Sequence, residues 1–153
     1  MIKHAVILIA LLVAGCGGVE VSRPPVQAEN KRGEVVLYAL GLMGVDYRFG
    51  GKNPSSGFDC SGMVSYIYKN AVGMSLPHNA YEIAKISRRI EPDQLRPGDL
   101  VFFDTEHRPY SHVGIYIGKG KFVHAPESDG KIRIGRLSSR YFAKRFEGAG
   151  TLF

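Results

Sequence analysis

The chain has 153 residues, 44% of them hydrophobic and 22% charged, which suits one domain with a single buried core and excludes a wholly disordered polymer. Its formal net charge of +6 favours an anionic partner such as nucleic acid, a phospholipid surface or an acidic polymer. The lysines and arginines are scattered, and no zinc-type cysteine pairs, aromatic RNA-binding signature or recognition-helix pattern accompany them, which argues against nucleic acid.

Lys3, the apolar run Ala5 to Val13 and the small residues Ala14 and Gly15 have the charged, hydrophobic and cleavage regions of a secretory signal too short to span a bilayer. Leu12-Val13-Ala14-Gly15-Cys16 resembles a bacterial lipobox, which implies cleavage after residue 15 and a lipid anchor on Cys16. Gly17 after the cysteine resembles the pattern sorted to the outer membrane, facing the periplasm. With Cys16 lipidated, Cys60 has no disulfide partner and is a free thiol in an oxidising compartment. Residues 16–32, with Pro24 and Pro25 and little periodicity, read as a tether, which leaves 33–153 as the domain.

The domain opens with an apolar-rich helix from about Glu34 to Met43, ended by Gly44. Tyr47 to Gly57 reads as a glycine-rich loop. In Gly57-Phe58-Asp59-Cys60-Ser61-Gly62 this loop meets a helix: Asp59 is a good N-cap, and Met63, Val64, Ile67, Tyr68, Ala71 and Val72 recur at helical spacing before Gly73. Cys60 then sits in the first turn, where unpaired N–H groups and the helix dipole favour a thiolate and are expected to lower its pKa from ~8.5 toward ~3.5 to 7.5. A shorter helix is expected from about Asn79 to Ile86.

Arg96-Pro97-Gly98-Asp99 is a turn in which Asp99 has a structural role, and it leads into the apolar strand Leu100-Val101-Phe102-Phe103. His112 to Ile117 alternates, with Val113, Ile115 and Ile117 on one face and His112, Gly114 and Tyr116 on the other. A three-residue loop at 118–120 sets His124 of the return strand opposite Gly114 and diagonal to His112, with Cβ atoms ~7 to 8 Å apart. A two-residue loop without a bulge would put the imidazoles on opposite faces. A strand near Lys131 to Ile134, a short helix near Ser139 to Lys144 and an extended piece from Phe146 to Phe153 complete an α+β domain.

The ordered series Tyr47-Arg48-Phe49-Gly50-Gly51, Pro54, Gly57-Phe58-Asp59-Cys60-Ser61-Gly62, Leu76-Pro77, Pro97-Gly98-Asp99-Leu100-Val101-Phe102-Phe103, His112 to Gly118 and Phe122-Val123-His124-Ala125 resembles the NlpC/P60 family of cell-wall cysteine peptidases. The resemblance implies a papain-like core, with N-terminal helices on an antiparallel sheet. It makes Cys60 the nucleophile, His112 the general base and His124 the residue orienting it. Tyr47 would lie beside the nucleophile and help hold the oxyanion, with Ser61 lining the site. It departs from the family at His78 and Glu82, where arginine and glutamine are frequent, near the substrate groove.

A Cys–His pair can attack a carbonyl and then protonate the leaving amine. The resemblance therefore implies a monomeric, lipid-anchored hydrolase acting on peptidoglycan stem or cross-link peptides, either at the diaminopimelate to D-alanine bond or between D-glutamate and the diamino acid. An acyltransferase of related fold and an inactive envelope-binding lipoprotein are the alternatives. No cofactor is expected, and the close-spaced ligand pairs of a structural zinc site are absent from the sequence.

Overall fold

Four consecutive apolar residues, Leu100 to Phe103, are buried on both faces, and this places their strand in the interior of the sheet. The computed structural model describes residues 26–127 and 130–153. The secretory segment 1–15, Cys16 and the tether up to residue 25 lie outside the described residues. In chain order the elements are α1 (Val26–Gly41), β1 (Lys52–Asn53), β2 (Gly57–Phe58), α2 (Cys60–Val72), α3 (Ala80–Ile86), β3 (Arg88–Ile90), β4 (Leu100–Phe103), β5 (His112–Gly118), β6 (Lys121–His124), β7 (Arg133–Arg136), α4 (Arg140–Ala143) and β8 (Phe146–Thr151). The main sheet has the order β3-β8-β4-β5-β6-β7, and every pairing in it is antiparallel. This is the expected α+β arrangement, with helices on an antiparallel sheet.

Alternation along the strands divides the core in two. Leu100, Phe102, Val113, Ile115 and Val123 pack with Val35 and Ala39 of α1 and Val64 and Ile67 of α2. Val101, Phe103 and Phe122 face the other way, under Phe142 of α4 and Phe146. His112 and His124 are on this second face, with ring contacts to Phe142 at 6.4 and 5.1 Å. Phe122 needs space there: a Cβ on Gly114 would come within 2.6 Å of its ring, so a glycine on β5 admits the aromatic side chain that flanks His124.

The register is the one the two imidazoles require, reached by a different route. Gly118 pairs with Lys121, so the loop is the two residues Lys119 and Gly120, both with positive φ as a type I′ turn demands. A bulge between Tyr116 and Gly118 then restores Tyr116 opposite Phe122 and Ile115 opposite Val123, and the histidines share a face.

Other differences have local causes. α1 begins at Val26, so residues 26–32, read as tether, are helix. The reason is Arg32, which is buried rather than solvated and donates to Asp99 Oδ1 at 2.6 Å and Thr151 Oγ1 at 2.9 Å. Asp99 keeps its structural role, also accepting from Arg96 N at 2.8 Å across the turn. The loop 47–57 holds β1 and the start of β2, whose Phe58 pairs with Lys52. β7 begins two residues after the expected Lys131, where pairing with His124 starts. β3 carries no strand signal in the sequence, because its Arg88-Arg89 lack apolar alternation and only pairing with β8 makes it a strand.

Candidate active site

Asp59 builds the start of α2 around one carboxylate. Its backbone is extended, and Oδ1 accepts from Gly62 N at 2.7 Å and from the Ser61 hydroxyl at 3.1 Å, while Oδ2 accepts from Gly50 N at 3.1 Å. Gly62 is required because a Cβ there would approach Gly51 O to 2.1 Å. The loop is thus pressed onto the first turn of the helix, and Cys60 is fixed at its first position.

The Cys60 sulfur lies against the start of β5, 3.9 Å from Ser111 O, with the N–H of Val113 also facing it. Those two residues flank His112 in the chain. His112 Nε2 is 2.9 Å from His124 Nδ1, with the rings nearly perpendicular. That contact leaves Nδ1 of His112 as the nitrogen available to the thiol. Among the described residues, neither His112 Nδ1 nor His124 Nε2 has a hydrogen-bond partner, although both atoms are buried.

Tyr47 is tied beside this group by its N–H, which donates to Gly130 O at 2.8 Å, and by a bridge to Phe58. Burial, and then the negative charges of Glu127, Cys60 and Asp59, push its hydroxyl up to about 12, so it stays a protonated donor. Ser61 is buried, and its hydroxyl is engaged with Asp59; its N–H, not its side chain, faces the sulfur. His78 bonds both carboxylate oxygens of Asp59, at 2.9 and 3.0 Å. Glu82 is in the first turn of α3 and pairs with Lys85 at 3.1 Å, away from the sulfur's contacts.

The expected depression of the Cys60 pKa is overturned. Desolvation outweighs the helix start and, with Asp59 and Glu127 nearby, pushes the thiol up to about 11 despite the N–H groups of Val113 and Ser61. Burial likewise lowers His112 to about 4, and burial, His112 and Arg133 lower His124 to about 3. The aromatic surroundings oppose a charge on either partner alone, so the pair rests neutral, and the proton moves as sulfur attacks.

Several neighbours escaped the sequence reading. Phe142 and Thr105 gave no signal, since nothing local ties them to the histidines. Arg133 was legible in principle: it is the cross-strand partner of His124. No group of three or more His, Cys, Asp or Glu able to hold a metal occurs among the described residues.

Residues 44–151 match the NlpC/P60 family. The chain is 43% identical over 110 residues to the murein DD-endopeptidase MepH of Escherichia coli, covering 70% of this chain and 41% of MepH. It is 35% identical over 147 residues to the probable endopeptidase NlpC of the same species, covering 92% of this chain and 93% of that protein. An NLP/P60 family structure from Staphylococcus aureus superposes with a TM-score of 0.73 at 30% identity, covering 89% of this chain and 45% of that one. The chain spans less than half the length of MepH and 28% of the gamma-DL-glutamyl hydrolase of Bacillus subtilis, to which it is 40% identical over 115 residues. The family match runs from the turn before Tyr47 through β8 and takes in every residue of the site, and on that ground the chain belongs to the NlpC/P60 family.

Proposed function

We propose that this protein is a cysteine peptidase that hydrolyses peptide bonds in the stem or cross-link peptides of peptidoglycan. The observation that carries this reading is the 2.9 Å contact between His112 Nε2 and His124 Nδ1, which leaves Nδ1 of His112 for the thiol held against β5. The name of one relative, murein DD-endopeptidase, supports peptidoglycan as the substrate, and that of another, gamma-DL-glutamyl hydrolase, supports hydrolysis of a bond to glutamate. The net charge of +6 suits that acidic polymer.

In the proposed reaction the Cys60 sulfur attacks the scissile carbonyl while its proton passes to His112 Nδ1. Backbone N–H groups at the start of α2 and the protonated Tyr47 hydroxyl stabilise the oxyanion. His112 then gives the proton to the leaving amine, which departs and leaves a thioester on Cys60. Water, giving a proton to His112, attacks the thioester, and collapse returns the proton to sulfur and frees the carboxylate. His124 holds His112 in the required tautomer throughout.

We further propose a lipid anchor on Cys16 that holds the enzyme at the outer membrane facing the periplasm. Palmitate labelling of the full chain, lost in Cys16→Ser, tests it.

Digestion of purified peptidoglycan beside Cys60→Ala, with fragments identified by mass spectrometry, tests the activity. Loss of cross-linked dimers marks cleavage of the diaminopimelate to D-alanine bond, and stems cut after D-glutamate mark the other specificity. A wall left intact by the wild type overturns the hydrolase reading. Inhibition by alkylation but not by chelators is expected; inhibition by chelators alone would also refute it.

A further inference from the structure

A cavity of about 350 Å³ opens beside the histidine pair, lined by Thr105, His112, His124, Arg133, Tyr141 and Phe142, with Glu127 as its acidic group. Three polar atoms of that lining, Thr105 Oγ1, His112 Nδ1 and His124 Nε2, are buried without a hydrogen-bond partner among the described residues, and with His112 Nδ1 assigned to the thiol the other two are left over. Buried polar atoms in native proteins are nearly always satisfied, so two left over in one cavity indicate a missing polar occupant. We propose that this cavity is a subsite for the carboxylate of an amino-acid end on the leaving-group side of the substrate, and that the bound carboxylate completes the hydrogen-bond relay behind Cys60. The inference deepens the hydrolase reading and rests on it.

The tautomers decide the ligand's chemistry. His112 can take a proton from Cys60 only if Nδ1 is bare, so its own proton is on Nε2 and is donated to His124 Nδ1 across 2.9 Å. His124 then carries its proton on Nε2, and it donates into the cavity. Burial keeps His124 well below its ordinary value, which holds it to that one proton.

Arg133, paired directly across from His124, contributes a guanidinium to the same wall, and the Thr105 hydroxyl is a third donor. Convergent donors that include a planar guanidinium match a carboxylate. Glu127 in the same lining disfavours a polyanion such as a phosphodiester.

The cavity is lined by both histidines and by no residue of α2. His112 protonates the departing amine, so the group that reaches this cavity belongs to the leaving half of the substrate.

Occupancy has a chemical consequence as well as a binding one. A carboxylate accepting from His124 Nε2 draws that proton away from the ring, and the added electron density makes Nδ1 a stronger acceptor. The Nε2 proton of His112 is then held more tightly, and Nδ1 becomes a better base. The benefit is realised in the transition state, where His112 is protonated, so it raises kcat more than it lowers KM.

The test uses two synthetic stem-peptide substrates identical except that the leaving half ends in a carboxylate or a carboxamide. The wild type is expected to cleave the carboxylate form at least tenfold faster in kcat/KM, mostly through kcat. Thr105→Val, which keeps the shape, and Arg133→Gln, at an exposed position, are expected to narrow that ratio below threefold.

A second measurement does not depend on cleavage. In Cys60→Ala, D-alanine is expected to shift the His124 ring nitrogen resonances and D-alaninamide to leave them unmoved, and Arg133→Gln is expected to abolish the shift. Equal cleavage of both peptides by the wild type, or no response of His124 to D-alanine, overturns the proposal. If no peptide is cut yet D-alanine shifts His124, the subsite stands and it is the hydrolase reading that fails.

Discussion

Replacing Arg32 with alanine strands the Asp99 carboxylate, whose side chain is 1% exposed, with Arg96 N as its remaining hydrogen-bond donor. The guanidinium that is lost also holds Thr151 Oγ1 at 2.9 Å and lies 4.8 Å above the Phe153 ring. Breaking a buried ion pair by removing one partner costs about 3 to 5 kcal/mol. For a domain of this size each kcal/mol is worth roughly 3 °C, so the expected loss in Tm is about 10 to 15 °C. The double variant Arg32→Met/Asp99→Asn removes both charges and is expected to melt above Arg32→Ala, because no charge is left buried alone. Thermal unfolding followed by circular dichroism at pH 7, with urea midpoints as a second measure, decides this. A related comparison bears on the domain boundary: a chain begun at Gly33 lacks Arg32 and is expected to melt well below one begun at Val26. If Arg32→Ala melts within about 2 °C of the wild type, or the double variant melts lower still, the buried pair does not organise the contact of α1 with the turn before β4.

With the Cys60 thiol pushed up to about 11, alkylation of the unliganded protein by iodoacetamide is expected to keep rising between pH 7 and 10. A rate flat from pH 5 to 9 would show a resting thiolate–imidazolium pair and refute the neutral one. His112 and His124 are lowered to about 4 and about 3, so as pH falls below roughly 6.5 the unfolded chain takes up protons that the folded one refuses. Stability is therefore full above that pH and falls toward pH 4, on the order of 3 kcal/mol for His112 alone; Tm at pH 7, 5.5 and 4 reads it, and His112→Asn is expected to remove about half of the drop, His124 supplying the rest, whereas an unchanged drop would refute the reasoning. His78→Ala removes both contacts to Asp59 from a side chain about one-third exposed, so about 1 kcal/mol and roughly a fivefold loss in kcat/KM are expected. His78→Arg should recover most of it, whereas unchanged kcat/KM in the alanine variant would make the contact incidental.

The local chain dictated those parts of the site in which neighbours in sequence carry the physics. Asp59, Cys60, Ser61 and Gly62 form a capped helix start because the cap, the nucleophile and the small residue admitting the loop lie within four positions. The alternation of β5 and its return by a tight turn put both histidines on one face, although the bulge that secures this arises from twist and pairing rather than from any one residue. Tertiary structure decided what depends on partners distant in the chain. Arg32 is indistinguishable in sequence from a solvated tether residue, and its burial follows from a carboxylate 67 residues away. The ionisation of Cys60 departs from the sequence expectation for the same reason: a helix start is local, but the desolvation that outweighs it comes from packing against β5. The donors facing the cavity, His124, Thr105 and Arg133, come from three separate segments that only the folded sheet and the loop after β4 bring together.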